Sequence, residues 1–457
     1  MQHSYEALDR PGGFSRVNLL HPLRHRRFLL LWAGMTVSLF GDGIFLVAMA
    51  WQVYELWNAP AALSVIGISM TVPTIACLLP GGVVSDRFDR RSVMLAADAL
   101  RAAVIGLLAV LSATGSLTLW ELAVLCAVYG VGTAFFNPAF DAVVPDILPA
   151  DQLAAANSLD QFVRPLALRL AGPAAAGWLI AAVGLGAAFA IDAATFCVSA
   201  AALVAIGRTP RPQREPGQSA VEDVRQGYRF IRRRVWLWGT LLSAAVAYLV
   251  FLGPTEVLLP YMVKNVVHGS AESLGLVFAA GGLGAIGCAL VMGQRGQPRR
   301  GIAFIYATWT LATVAVAGYG LATATWQLML ACLVFNVLET AGTIVWATLK
   351  QQHVPAELLG RVSSLDWLIS IGLLPLSFAL TAPAVALLGA RTTLVAASVI
   401  GAVVTASALL LPGMLELDRA AEPEPVASDE VDVVLTRIRM YESDPSALPG
   451  TPISSST

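Results

Sequence analysis

Charge is what this chain has least of. Asp, Glu, Lys and Arg make up 13% of its 457 residues, where a soluble domain carries about 25%. Lysine is almost missing, 2 residues against 27 arginines, and the net charge is −1. No basic surface points to a nucleic-acid partner. The five cysteines, Cys77, Cys126, Cys197, Cys288 and Cys332, sit singly in apolar runs without paired spacing or nearby histidines. They read as small buried hydrophobes, neither a disulfide framework nor metal ligands. The five histidines fall in loops and at helix ends, and no nucleophile–base cluster or glycine-lysine phosphate loop occurs. No enzymatic activity, metal, cofactor or use of ATP is expected. A cleavable leader is not visible either: residues 1–27 are polar and basic, and the apolar stretch after them runs on as a spanning helix.

What the chain does have is hydrocarbon. Apolar residues reach 57% and the mean hydropathy is +0.70. Uncharged runs such as Ala102–Trp120, Leu170–Ile191, Ser273–Gln294 and Thr392–Leu415 each match the roughly 20 residues a helix needs to cross a bilayer. Twelve spans are predicted, at 28–52, 61–84, 93–113, 119–142, 157–181, 185–206, 235–262, 273–294, 302–321, 326–348, 364–387 and 392–413. With twelve spans, both termini and the even-numbered loops share one side, and they hold 24 of the 29 basic residues. Positive charge marks the cytoplasmic side, so both termini are expected there. The expected organisation is a cytoplasmic segment at 1–27, a six-helix half at 28–207, a cytoplasmic loop at 208–234, a second half at 235–413 and a disordered acidic tail at 414–457. Aligning Leu63 with Leu274 brings Asp42 and Glu256 within a helical turn of corresponding positions, as in a duplicated transporter. From Ala220 the central loop reads as a basic amphipathic helix, either on the inner leaflet or solvated as a linker.

Ionisable groups at membrane depth cost roughly 2.5–3.5 kcal/mol each on insertion scales and need a reason. Asp42 lies about fourteen residues into span 1, near mid-depth, flanked by Gly41 and Gly43. It is the first candidate for a carboxylate that binds and releases a proton, with Glu256 or Glu339 as its partner. Arg169, near mid-depth in span 5, would attract an anionic group on a substrate. The alternative for each of the four is a register-fixing role in a buried pair. Asp98, Arg101, Asp192 and Asp366 lie nearer helix ends and read as structural or interfacial. Asp160 and Arg164, spaced i, i+4, should pair with each other.

Between spans 2 and 3 the chain reads Gly82-Val-Val-Ser-Asp86-Arg87-Phe-Asp89-Arg90-Arg91. This resembles the G-x-x-x-D-R-x-G-R-R/K signature of the major facilitator superfamily, with Asp89 in place of the second glycine. The resemblance implies that Asp86 caps the inner end of span 11, in the Arg361–Asp366 stretch. It also implies that Arg87 meets an acid at the end of span 4, Asp141 or Asp146, and that these contacts with Arg90 and Arg91 latch the halves on the inside. Phe136-Asn-Pro-Ala-Phe-Asp, Gly41-Asp42-Gly43 and Leu166-Ala-Leu-Arg169-Leu-Ala-Gly172-Pro173-Ala-Ala-Ala-Gly177 look like the branch holding enterobactin exporters and macrolide efflux pumps. The Gly172-Pro173 element is similar to that superfamily's antiporter motif, although packing alone would also account for Gly172, Pro173 and Gly177. Span 4 lacks the arginine that many proton-coupled relatives carry.

The implied fold is an all-α membrane protein with twelve transmembrane helices in two pseudo-symmetric six-helix halves, the major facilitator fold. The implied function is secondary active export of a small amphipathic molecule, a siderophore or a drug, by proton antiport and alternating access from a bacterial plasma membrane. The partners expected are that small molecule, protons and the lipid bilayer, for a monomer. The alternative is an uptake or facilitative carrier for a nutrient on the same fold.

Overall fold

The computed structural model describes residues 20–149, 152–207, 220–295 and 298–420. Among these residues the structure is helical, with no strand. Twelve helices are long and apolar enough to cross a membrane: Arg26–Leu56, Pro60–Leu78, Arg90–Ala113, Leu119–Ile147, Phe162–Val183, Leu185–Ile206, Val235–Val266, Ala271–Gln294, Gly301–Leu321, Thr325–His353, Arg361–Leu388 and Ala390–Leu410, spans 1 to 12 in order. The ends of spans 1, 6, 7 and 12 nearest Arg26, Ile206, Val235 and Leu410 define one face of the bundle, the terminal face; the other is the far face.

Local chemistry sets the ends of these helices. Thr118 and Glu121 form a reciprocal capping box at the start of span 4, satisfying two backbone donors that the helix leaves free. Asp89 caps span 3, accepting from the amide of Ser92 at 3.3 Å and from its hydroxyl at 2.6 Å. A carboxylate thus stands where the superfamily signature has glycine, because it can satisfy free N–H groups at a helix start. Spans 5 and 11 end at Gly184 (φ +85°) and Gly389 (φ +78°), a left-handed turn that only glycine adopts at little cost. The same device at the same place in both halves is a local trace of their duplication.

Three apolar cores describe how the halves meet. One runs through both, from Ile44, Tyr54 and Phe189 to Val257, Leu274 and Phe378. The other two are each confined to one half: Phe28, Met94 and Val143 in the first, Trp236, Tyr306 and Val345 in the second. The shared core lies toward the far face and the separate cores toward the terminal face. Span 2 packs on the far part of span 11, Leu374–Leu388, while its terminal part, Ala356–Gly372, packs on span 7 and on the helix Ala220–Arg232. Polar bonds close the far face. The Tyr54 hydroxyl donates to the carbonyl of Val257 at 2.5 Å, and the side-chain amides of Asn58 and Asn265 exchange bonds at 2.6 and 2.9 Å. The halves are joined on one face and parted on the other, so the cleft between them opens at the terminal face.

Two expectations change here. The helix Ala220–Arg232 is neither free in solvent nor laid on lipid along its whole length: Ile231 is buried, Gly227 faces Arg361 and Leu365, and Arg361 Nη1 donates to Gln226 at 2.5 Å. The segment from 414 does not begin as disordered chain. Met414 is buried against Gly239, and both carboxylate oxygens of Asp418 accept from the first amides of span 9, Ile302 at 2.9 Å and Ala303 at 2.8 Å. The acid is held because a helix N-terminus offers free donors and a favourable dipole. Residues 421–457 lie outside the described residues.

Candidate transport site

The Gly41-Asp42-Gly43 step of span 1 touches a different helix with each residue. A side chain at Gly41 would run into Asp192 and Thr195 of span 6. One at Gly43 would meet Gly172 and the carbonyls of Ala167 and Leu168 in span 5. Asp42, between them, is half-buried and accepts a 2.5 Å bond from the hydroxyl of Tyr129 in span 4. Tyr129 is itself held by stacking on Phe45, with ring centres 4.9 Å apart. Two glycines let three helices close in so that one carboxylate is aimed at a phenol.

Beside it lies a group of charges that sequence depth alone had placed nearer helix ends. Asp98 and Asp192 are 0% exposed and Arg101 3%. Arg101 Nη2 is paired with Asp98, whose other oxygen accepts from Ser199 at 2.6 Å. The guanidinium is sandwiched between Phe136 and Phe196, 4.3 and 4.4 Å from the ring centres, an arrangement worth about 2 kcal/mol when desolvated. Gly132 makes room for the Arg101 stem across span 4. Span 4 lacks an arginine of its own, and span 3 supplies one across it. The charges of spans 3 and 6 are buried inside the first half because helix azimuth, not distance from the helix end, decides what water reaches.

A second centre bridges the halves. Span 5 departs from α geometry over Pro165–Ala171, a π-helical segment; such bulges are frequent at functional sites. Arg169 projects from it, exposed, and Nη1 donates to Asn336 of span 10 at 3.3 Å. Because that bond crosses between the halves, the exposure of Arg169 is to the cleft and not to lipid. Glu256 is exposed with Arg169 as its charged neighbour. Glu339 is half-buried, accepts from Thr343 at 3.0 Å and has Tyr248 and Cys288 beside it. Arg169 and Glu256 are thus neighbours and Tyr248 lies near both Glu339 and Arg169, while Asp42 faces Tyr129 and the first half's buried charges in place of either glutamate.

The loop between spans 2 and 3 is arranged differently from the implied latch. Arg90, not Arg87, holds Asp146, at 2.6 Å, and also donates to the carbonyl of Ala142 at 2.7 Å. Arg91 caps the end of span 6 through the carbonyls of Leu203 (2.6 Å) and Val204 (3.1 Å). Arg87 and Asp141 are exposed. Asp366 is engaged within its own half by Lys350 and by Trp346 Nε1 at 3.0 Å. A Cβ on Gly82 would meet nothing within 4 Å. The side chain of Asp86 lies outside the described residues. Gly172, Pro173 and Gly177 all sit at helix crossings: Gly172 against Phe40 and Gly43, the Pro173 carbonyl against Gly275, Gly177 against Ala271 and Glu272. Asp160 and Arg164 pair as expected, at 2.8 Å. Tyr129, Asn336 and Tyr248 carry no mark in the sequence that sets them apart from packing residues.

The family model for transmembrane secretion effectors matches residues 17–439. Macrolide efflux protein A of Streptococcus pyogenes is 25% identical over 361 residues, covering 78% of this chain and 88% of that protein. The multidrug efflux pump Tap of Mycolicibacterium fortuitum is 28% identical over 412 residues, 86% of this chain and 98% of Tap. Among solved structures, an inward-facing bacterial homologue of the lysosomal transporter Spinster superposes with a TM-score of 0.62 at 15% identity, covering 89% of this chain and 100% of that one. An inward-facing bacterial homologue of the iron transporter ferroportin gives 0.63 at 16% identity, covering 84% and 98%. The twelve-helix fold, the cleft between its halves and the match along almost the whole chain place the protein in the bacterial plasma membrane as a multi-pass major facilitator transporter belonging to the transmembrane secretion effector family.

Proposed function

We propose that this transporter exports drug-like amphipathic molecules from the cytoplasm in exchange for protons, by alternating access. The termini and even-numbered loops carry 24 of the 29 basic residues in the sequence, and the positive-inside rule makes the terminal face, on which the described spans begin and end, cytoplasmic. The conformation, open there and closed at the far face, is then the one in which an exporter loads its cargo. The relatives named for macrolide and multidrug efflux support the direction and the cargo class.

Arg169 was expected to favour an anionic cargo such as a catecholate siderophore. In the cleft its charge is offset by Glu256, with Glu339 nearby, a balance that suits neutral or cationic amphipaths better. An inward proton contributes about 2.3 kcal/mol per 100 mV of membrane potential.

The observation that carries the coupling is Asp42: an ionisable group at membrane depth, half-buried and hydrogen-bonded by one phenol. In proteoliposomes an imposed pH gradient should accelerate macrolide efflux several-fold, and Asp42→Asn should remove that acceleration while the protein remains in the membrane. Efflux that ignores the gradient in the unaltered protein sinks the antiport reading.

A further inference from the structure

The buried group next to Asp42 has a use that the transport cleft does not absorb. Three carboxyls, Asp42, Asp98 and Asp192, share the interior of the first half with one guanidinium, Arg101, which is already paired with Asp98. Asp192 is 0% exposed. One of its oxygens lies 3.3 Å from the Thr195 hydroxyl, which donates chiefly to the Asp192 backbone carbonyl at 2.7 Å; the other, Oδ2, is buried with no hydrogen-bond partner. An ionised carboxylate does not persist with a buried oxygen that nothing donates to, since leaving such a group unsatisfied costs several kcal/mol. A neutral carboxyl buries no charge there and so costs less. Gly41 is what brings it close: any side chain at that position would occupy the space of the Asp192 carboxyl, and Asp42 is the next residue.

We infer that Asp192 is a second proton-holding group of the transporter, packed on Gly41 beside Asp42. This rests on the antiport reading above. Among the described residues no hydrogen bond joins the two carboxyls, so each holds its own proton and the charge of the cluster follows from both. Release from Asp42, the half-buried member, changes it by one. The groups that face this pair are Asp98 and Arg101 from span 3, Tyr129 from span 4 and Arg164 from span 5. Asp192 is shut away from the cleft and keeps its proton there.

The test uses the full chain in lipid and needs no cargo. Infrared difference spectra recorded against pH should show a protonated-carboxyl band in the unaltered protein that Asp192→Asn removes, and whose midpoint Asp42→Asn moves by a unit or more. An undiminished band in Asp192→Asn overturns the inference. Should that variant fail to reach the membrane, Thr195→Val leaves both carboxyls in place and takes away the one hydroxyl on Asp192. Its band midpoint should move, and an unmoved midpoint overturns the inference equally. Efflux of radiolabelled erythromycin under a pH gradient separates the two readings. Indifference of the unaltered protein to the gradient defeats antiport, while the infrared band still reports whether Asp192 holds a proton.

Discussion

Arg101 is the residue on which the first half's interior depends. Its charge is out of water between two phenyl rings and against a carboxylate, so truncating it leaves Asp98 charged and unpaired in the dark. Breaking one member of a buried pair costs about 3–5 kcal/mol. Arg101→Ala should therefore lower the thermal unfolding temperature in detergent sharply or abolish expression. Arg101→Leu combined with Asp98→Leu, which removes both charges, should recover most of the loss. A double variant as unstable as the single one would show that the rings, not the ion pair, carry the stability. At this scale the sequence exposed the existence of each charge but not its company. Asp98, Arg101 and Asp192 were visible as charges in apolar helices. Their distance from a helix end was a poor guide to burial, because a bundle buries one side of each helix along its whole length.

At the scale of elements, the crossing of spans 1 and 5 is fixed by Gly43 against Gly172, backbone to backbone. A single methyl at Gly43 would sit 2.9–3.0 Å from the Ala167 and Leu168 carbonyls and the Gly172 Cα, and overpacking of this kind costs about 1–3 kcal/mol. Gly43→Ala should lower the unfolding temperature by several degrees. Gly82→Ala, where the added methyl meets nothing within 4 Å, should leave it unchanged or raise it, since alanine is the better helix former. Equal losses at both positions would mean that the conformation in the membrane is closed around Gly82 as well. Small residues at helix contacts were legible in the sequence as a pattern. Which of them touch required the fold. The π-helical turn that turns Arg169 toward span 10 had no sequence signal beyond the two prolines, Pro165 and Pro173, that bracket it.

For the whole molecule the question is which face is shut. Tyr54 to Val257 and the Asn58–Asn265 pair are bonds between halves at the far face, and Lys264 of the second half lies 5.0 Å over the Trp51 ring of the first. Each neutral bond of this kind is worth about 1 kcal/mol net, enough in sum to move a two-state equilibrium tenfold or more. Tyr54→Phe with Asn58→Ala should shift the population toward a conformation open at the far face, without loss of folded protein. Spin-label distances across the far face should lengthen in a larger fraction of molecules, and labels across the terminal face should close. A distance distribution identical to that of the unaltered protein would place the gate elsewhere, in the shared apolar core.

Taken alone, the amino-acid order determined the class and count: hydrocarbon length fixes a spanning helix, twelve such lengths fix twelve spans, and the distribution of arginine fixes an expected orientation. These are properties of a segment and the solvent around it, so they can be read along one dimension. What only tertiary structure decided is the partner of each charge. Asp42 meets Tyr129 in place of a glutamate, Arg90 instead of Arg87 holds Asp146, and Arg169 joins Asn336 across the cleft. Such pairings depend on helix rotation and on which glycines let backbones touch, quantities that no single helix contains.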